Sequence, residues 1–170
     1  MKKHLLILLL LPAMLCGSAA FAQEKQSNAT WEETVNFLQK YHFGMEWECA
    51  SANARYCLIN KIKIQTDRLE LEEEDGYSGD VYKRTLYFKD LFSAWRFAAS
   101  DVMVLQTIRD DILVYTNGKQ RNSSSEISSK IKVRVVDREL FLRLLKAWQH
   151  LAWLATEKRR AAAEAAGDKF

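Results

Sequence analysis

Lys130 to Leu154 read KIKVRVVDRELFLRLLKAWQHLAWL, and the hydrophobic period changes in the middle of them. Up to Val135 the pattern alternates. Ile131, Val133 and Val135 face one way and Lys130, Lys132 and Arg134 the other, as in a strand with one buried face. From Asp137 the period becomes helical. Leu140, Leu144, Ala147, Leu151 and Leu154 form one stripe, flanked by Phe141, Leu145, Trp148 and Ala152, a broad apolar face of the kind that docks onto a sheet. Asp137 is a suitable N-cap. Past Glu157 the stripe gives way to Lys158, Arg159 and Arg160 and then to alanines, so the helix is expected to run on into solvent.

Upstream, Met45 to Asp137 is dominated by period-two segments. CLINKIKIQT, RLELEEED, VYKRTLYFKDLF, SAWRFAAS, VMVLQTI and ILVYT follow one another, broken by DGYSGD, by Ser100-Asp101 and by the tight-turn dipeptide Asn117-Gly118. With KIKVRVV they make seven or eight strands joined by turns without intervening helices, so the sheet is expected to be antiparallel. Before them, TWEETVNFLQKYHF carries Thr30 and Glu33 at capping-box spacing. Trp31, Val35, Leu38 and Tyr41 lie on one helical face, and Gly44 is read as the stop.

The first 22 residues, MKKHLLILLLLPAMLCGSAAFA, read as a signal peptide. Lys2 and Lys3 form the basic head, an apolar run extends from Leu5 to Leu15, and Ala20-Phe21-Ala22 ends it in a small-x-small cleavage pattern. The run is too short for the roughly 20 residues of a permanent span. Leu15 stands where lipoprotein processing at Cys16 would require a small residue. The expected organisation is a leader at 1–22, a disordered lead-in at 23–29 and one domain at 30–170, exported to the periplasm or secreted, with no transmembrane segment after cleavage.

The whole chain has 25 basic and 22 acidic residues. Removing Lys2 and Lys3 leaves it nearly neutral, without the basic excess that draws a protein to nucleic acid. Cys49 and Cys57, in CASANARYC, are the two cysteines left. In an oxidising compartment they read most simply as a disulfide, which would stabilise the fold by about 2–3 kcal/mol. A free or intermolecular thiol and a metal site are the alternatives. With only His42 and His150 besides, a zinc set would have to recruit carboxylates.

The order of elements resembles the bacterial secreted pleckstrin-homology-like (PH-like) domain proteins, on the strength of TWEETVNFLQKY at one end and KIKVRVVDRELFLRLLKAWQHLAWL at the other. The resemblance implies an α+β fold: a short N-terminal helix, an antiparallel seven- to eight-stranded partly open barrel, and a long C-terminal helix capping it through Leu140, Leu144, Trp148 and Leu151. Lipid-binding relatives grip a phosphorylated inositol with basic residues near the first hairpin. The nearest ones here are Arg55, Lys61 and Lys63, followed by Glu70, Glu72, Glu73, Glu74 and Asp75, which would repel a phosphate. Many members of the superfold instead bind peptides or proteins.

Sites of chemistry are few. His42 sits where an imidazole suits the end of the first helix, and His150 is placed on the polar edge of the last. Neither belongs to a nucleophile motif or a metal-binding pair. Glu72 to Asp75 is a solvated hairpin tip or, in the sharper reading, a calcium ligand set; Asp110-Asp111 is a turn. Lys130, Lys132 and Arg134, with Arg138 and Arg143, form the best positive patch, and Trp153, off the main stripe, is a candidate anchor for a partner. The expectation is a non-catalytic exported domain, needing no cofactor and no metal, that recognises an envelope protein or peptide. A carrier of a lipid or other apolar small molecule beneath the last helix is the alternative, and a hydrolase built around His42 or His150 the third possibility.

Overall fold

The structure, a computed structural model, describes residues 27–48, 59–74, 78–109, 111–120 and 129–167. The expected leader, Cys49 and Cys57, and Asp75 and Asp110 lie outside the described residues. The chain runs α1 (Trp31–Tyr41), β1 (Glu46–Trp47), β2 (Ile59–Ile64), β3 (Arg68–Glu74), β4 (Val81–Tyr87), β5 (Leu91–Arg96), β6 (Val102–Thr107), β7 (Leu113–Thr116), β8 (Lys119–Gln120), β9 (Lys130–Arg134) and α2 (Arg138–Ala165).

The fold is α+β, and the nine strands among the described residues form two antiparallel sheets ordered β1-β9-β6-β5 and β2-β3-β4-β7-β8. This is one or two strands more than expected, the additions being the two-residue β1 and β8, and the described residues form no closed barrel. The chain crosses between the sheets at two places. VYKRTLYFKDLF is not one strand, because a short 3-10 turn at Phe88–Asp90 carries the chain out of the five-stranded sheet and into the four-stranded one. The turn is pinned where the Phe88 N–H donates to the Asp67 carbonyl (2.8 Å) and the Ile108 N–H to Asp90 (3.0 Å). After β6 the chain returns, so β7 pairs with β4 while β9 pairs with β6 and β1.

Alternation sets the faces. Leu69, Leu71, Leu86 and Val114 of the five-stranded sheet are buried, as are Met103, Leu105, Ile131 and Val133 of the other. Each such side chain contributes about 1.5–3 kcal/mol on leaving water. Asn117 and Gly118 join β7 to β8 with φ of 49° and 77°, the doubly left-handed hairpin turn that this dipeptide favours.

α2 packs on β5, on α1 and on the Phe88–Asp90 turn. Its N-cap is Asp137, whose carboxylate accepts the Leu140 N–H at 2.8 Å. Leu144, Trp148, Leu151, Ala152 and Ala155 are fully buried, while Leu140 is only half-buried. Contact continues past Glu157. Lys158 lies 3.8 Å from the centroid of the Trp31 ring, and Arg159 donates to the carbonyls of Lys89 and Leu91. No helix among the described residues is long and apolar enough to cross a membrane.

α1 opens with the capping box in place. Glu33 N–H donates to Thr30 Oγ1 (3.2 Å) and Thr30 N–H to the Glu33 carboxylate (2.7 Å). Its helix ends at Tyr41, followed by a 3-10 turn through Gly44. Gly44 is therefore not the stop. It allows a close approach instead, since a Cβ there would lie 2.5 Å from Leu140 Cδ2 of α2.

Candidate functional site

The basic patch expected from sequence does not hold together as a free surface. Lys130, Lys132 and Arg134 do line the outer face of β9, but Lys132 pairs with Glu48 at 3.0 Å. Arg134 pairs with Asp101 at 2.8 Å and with Glu46 at 3.6 Å. The Asp101 carboxyl is held below its usual range by the hydrogen bond from Arg134. Neighbouring carboxylates from β1 and the β5–β6 turn have neutralised this part of the row. Arg138 is exposed on the first turn of α2, and Arg143 belongs elsewhere.

The acidic run is not simply a solvated tip. Glu72 lies between Lys61 and Lys83, 3.0 Å from each, and those two hydrogen bonds hold its carboxyl low. Glu73 points inward, because alternation puts it on the same face as Leu69 and Leu71. It is 1 % exposed and pairs with the equally buried Arg84. No set of three metal-ligating side chains occurs among the described residues.

The structure brings a different set together, where the start of α1 lies along α2. An open groove of about 690 Å³ separates the two helices. One wall is Ser27, Asn28 and Ala29 with Glu33, Thr34 and Phe37; the other is Arg143, Lys146, Ala147 and His150. Of the expected lead-in, residues 27–29 thus form part of a wall. Thr34 and His150 are buried, Phe37 and Ala147 half-buried, and Arg143 and Lys146 exposed along the rim.

Each side chain is held by identifiable contacts. Arg143 stands over two rings of α1, 5.4 Å from the centroid of Phe37 and 5.1 Å from that of Tyr41. Phe37 and Tyr41 are one helical turn apart and themselves in contact (4.7 Å). A guanidinium over aromatic faces is attracted electrostatically and loses side-chain freedom. The hydrogen bond from Arg143, and then the charge of Lys40, hold the Tyr41 phenol below its ordinary range. Arg143 and Lys146 have no carboxylate in ion-pair reach among the described residues. The groove's own carboxylate, Glu33, is engaged by the cap of α1, which lowers its pKa.

His150 is not on a polar edge. It is 3 % exposed, because the chain entering α1 covers the flank of α2 that a single apolar stripe leaves open to solvent. Nε2 lies 2.8 Å from the Ala29 carbonyl. A carbonyl only accepts, so Nε2 carries the proton. Nδ1 is buried and without a partner among the described residues. Trp153, expected to be an exposed anchor, is half-buried and stacks on His150 with ring centroids 5.6 Å apart and planes 16° apart.

His42 also uses a ring nitrogen, Nδ1, on a main-chain carbonyl, that of Gln39 (2.6 Å). Neither imidazole is bonded to a hydroxyl or thiol among the described residues; Ser27 Oγ, in the groove, instead accepts the Ala29 N–H. Beneath α2, where a carrier would need its cavity, lies the fully buried Trp148. That ring meets Trp47 edge-on (6.5 Å, 88°) and Phe88 at 74° (5.8 Å).

No protein-family model, curated protein or solved structure matches the chain. Function has to be argued from the groove. Sequence reading reached Arg143, His150 and Trp153 but grouped Arg143 with the β9 row, read Ala147 only as part of the apolar stripe, and did not single out Phe37 or Lys146. The available signal was the aromatic pair Phe37 and Tyr41, spaced to share one flank of α1 away from its buried Leu38.

Proposed function

We propose that this chain is an exported, non-catalytic binding domain that recognises a protein or peptide in the cell envelope through the groove between α1 and α2. The observation that carries this reading is Arg143. A guanidinium already oriented by Phe37 and Tyr41, at the rim of an open groove and without a carboxylate partner among the described residues, has little ordering cost left when a partner arrives. The half-buried Phe37 and Ala147 supply the apolar floor that a recognition groove requires. The resemblance of both ends of the domain to PH-like proteins supports the same class of role, since many of those bind peptides or proteins. The leader-like first 22 residues support export to the periplasm or beyond.

A photo-crosslinking residue placed at Lys146 tests the reading in cells. Discrete adducts are expected there, lost when Arg143→Glu is added, and absent when the same crosslinker replaces exposed Lys61 on the five-stranded sheet. Equal labelling at both positions, or none at Lys146, would overturn it.

A further inference from the structure

The groove also constrains what it holds. We infer that its occupant is an acidic peptide segment, in which a carboxylate meets Arg143 and Lys146 and a neighbouring main-chain N–H meets the imidazole of His150. This inference rests on the reading of the groove as a binding site and specifies its ligand.

Two observations converge on that chemistry. The first is charge. Arg143 and Lys146 project from the same flank of α2, one turn apart, and neither has a carboxylate partner among the described residues. Glu33, the acidic group on the opposite wall, has its carboxylate engaged by the Thr30 N–H at the start of α1, while the Thr30 hydroxyl accepts the Glu33 N–H. The open valences of the rim are thus cationic, and an Arg–carboxylate pair is the strong hydrogen-bonded match for a preoriented guanidinium.

The second observation is the buried imidazole. With Nε2–H committed to the Ala29 carbonyl, Nδ1 is the acceptor of the corresponding uncharged tautomer. Among the described residues that atom is buried without a partner, a desolvated acceptor whose hydrogen bond is unmet. Arg143 and Lys146 are donors too, but Arg143 is turned onto the rings of α1. A bare carboxylate offers no donor, whereas a peptide carries a main-chain N–H within a few ångströms of each acidic side chain. The half-buried Phe37 and Ala147 offer the apolar contact that peptide backbones and aliphatic stems seek.

The test uses the chain from residue 23 onward, isotope-labelled, and three probes. Two are matched libraries of acetylated pentapeptide amides, random except for a central glutamate in one and a central glutamine in the other; the third is acetate at equal concentration. The glutamate library is expected to give saturable shifts at the Phe37 and Ala147 amides, at Arg143 Nε–H and at His150 Nδ1. The glutamine library should bind at least about tenfold more weakly, and acetate should leave Nδ1 unmoved. Arg143→Gln with Lys146→Gln should erase the difference between the libraries; both side chains are exposed, and an unchanged thermal midpoint shows that the fold is kept. Equal shifts from both libraries would overturn the acidic assignment and leave the groove a peptide site. Acetate reproducing the full pattern, Nδ1 included, would overturn the peptide assignment. Failure of every probe to move the groove residues would overturn the inference and the binding reading together.

Discussion

Arg84 on β4 and Glu73 on β3 form an ion pair inside the five-stranded sheet, 3.3 Å apart, with both side chains almost wholly removed from water. The Arg84 guanidinium also donates to the Glu48 carbonyl, where the chain leaves β1, so one buried cation links the two sheets. Its Nε has no acceptor among the described residues, and burial pushes the guanidinium pKa down. Desolvation therefore offsets much of the pair's attraction, while removing one member alone takes the ion-pair partner from a charge already withdrawn from water. Glu73→Leu or Arg84→Met alone is expected to lower unfolding free energy by about 3–5 kcal/mol, and the double replacement by much less. Urea denaturation of the four proteins measures the coupling; equal losses in single and double variants would refute this account.

The edge-on contact of Trp148 with Trp47 is the centre of the core beneath α2. Trp148→Ala removes the fully buried tryptophan of that helix and is expected to cost about 3–5 kcal/mol. Trp148→Phe should cost markedly less. It leaves an aromatic ring against Phe88 and eliminates a buried indole N–H that has no acceptor, a group whose unmet hydrogen bond costs about 1–3 kcal/mol. Chemical denaturation followed by circular dichroism, which does not depend on the deleted fluorophore, ranks the two.

What could be read from sequence, and what could not, follows the range of the interactions involved. The faces of β9, the cap at Asp137 and the Asn117-Gly118 turn depend on neighbours a few residues away, and each was legible. Pairing was not: alternation tells which side chains share a face but not which strand lies alongside, so the crossing at Phe88–Asp90 was hidden within an apparently continuous strand. Glu73 was recoverable in principle, since it continues the Leu69 and Leu71 face, but charge outweighed period in the reading of EEED. His150 and Phe37 depend on α1 lying against α2, more than a hundred residues apart in sequence. Local periodicity contains no term for that contact.

Glu33 links the cap of α1 to pH. Its carboxyl is held below the ordinary value of 4.5 by the Thr30 N–H and then by the Thr30 hydroxyl. A lowered folded-state pKa means that the ionised group contributes stability above the unfolded pKa, and that this contribution fades as pH falls through the folded value. Thermal midpoints of the parent and Glu33→Gln are therefore expected to differ by a constant amount at neutral pH and to converge below about pH 4. Thr30→Ala, which removes the reciprocal bond, should cost about 1 kcal/mol. A gap between parent and Glu33→Gln that widened on acidification would contradict the assignment.

Tyr41 reports on the cation beside it. The phenol is lowered first by its hydrogen bond from Arg143 and next by the charge of Lys40, whose ammonium lies 5.4 Å from the ring centroid. Phenolate favours a cationic neighbour, so Arg143→Gln should move the Tyr41 titration upward toward the ordinary value of 10.0, and Lys40→Gln should move it by a smaller step. Tyrosine ring-carbon signals followed by NMR through the alkaline range separate Tyr41 from the other tyrosines. Binding an acidic segment at Arg143 should act in the same upward direction, because a carboxylate competes for the guanidinium and adds negative charge beside the phenol. A titration that fell on binding, or that was indifferent to Arg143→Gln, would place the cation elsewhere and remove the orientation on which recognition at this groove depends.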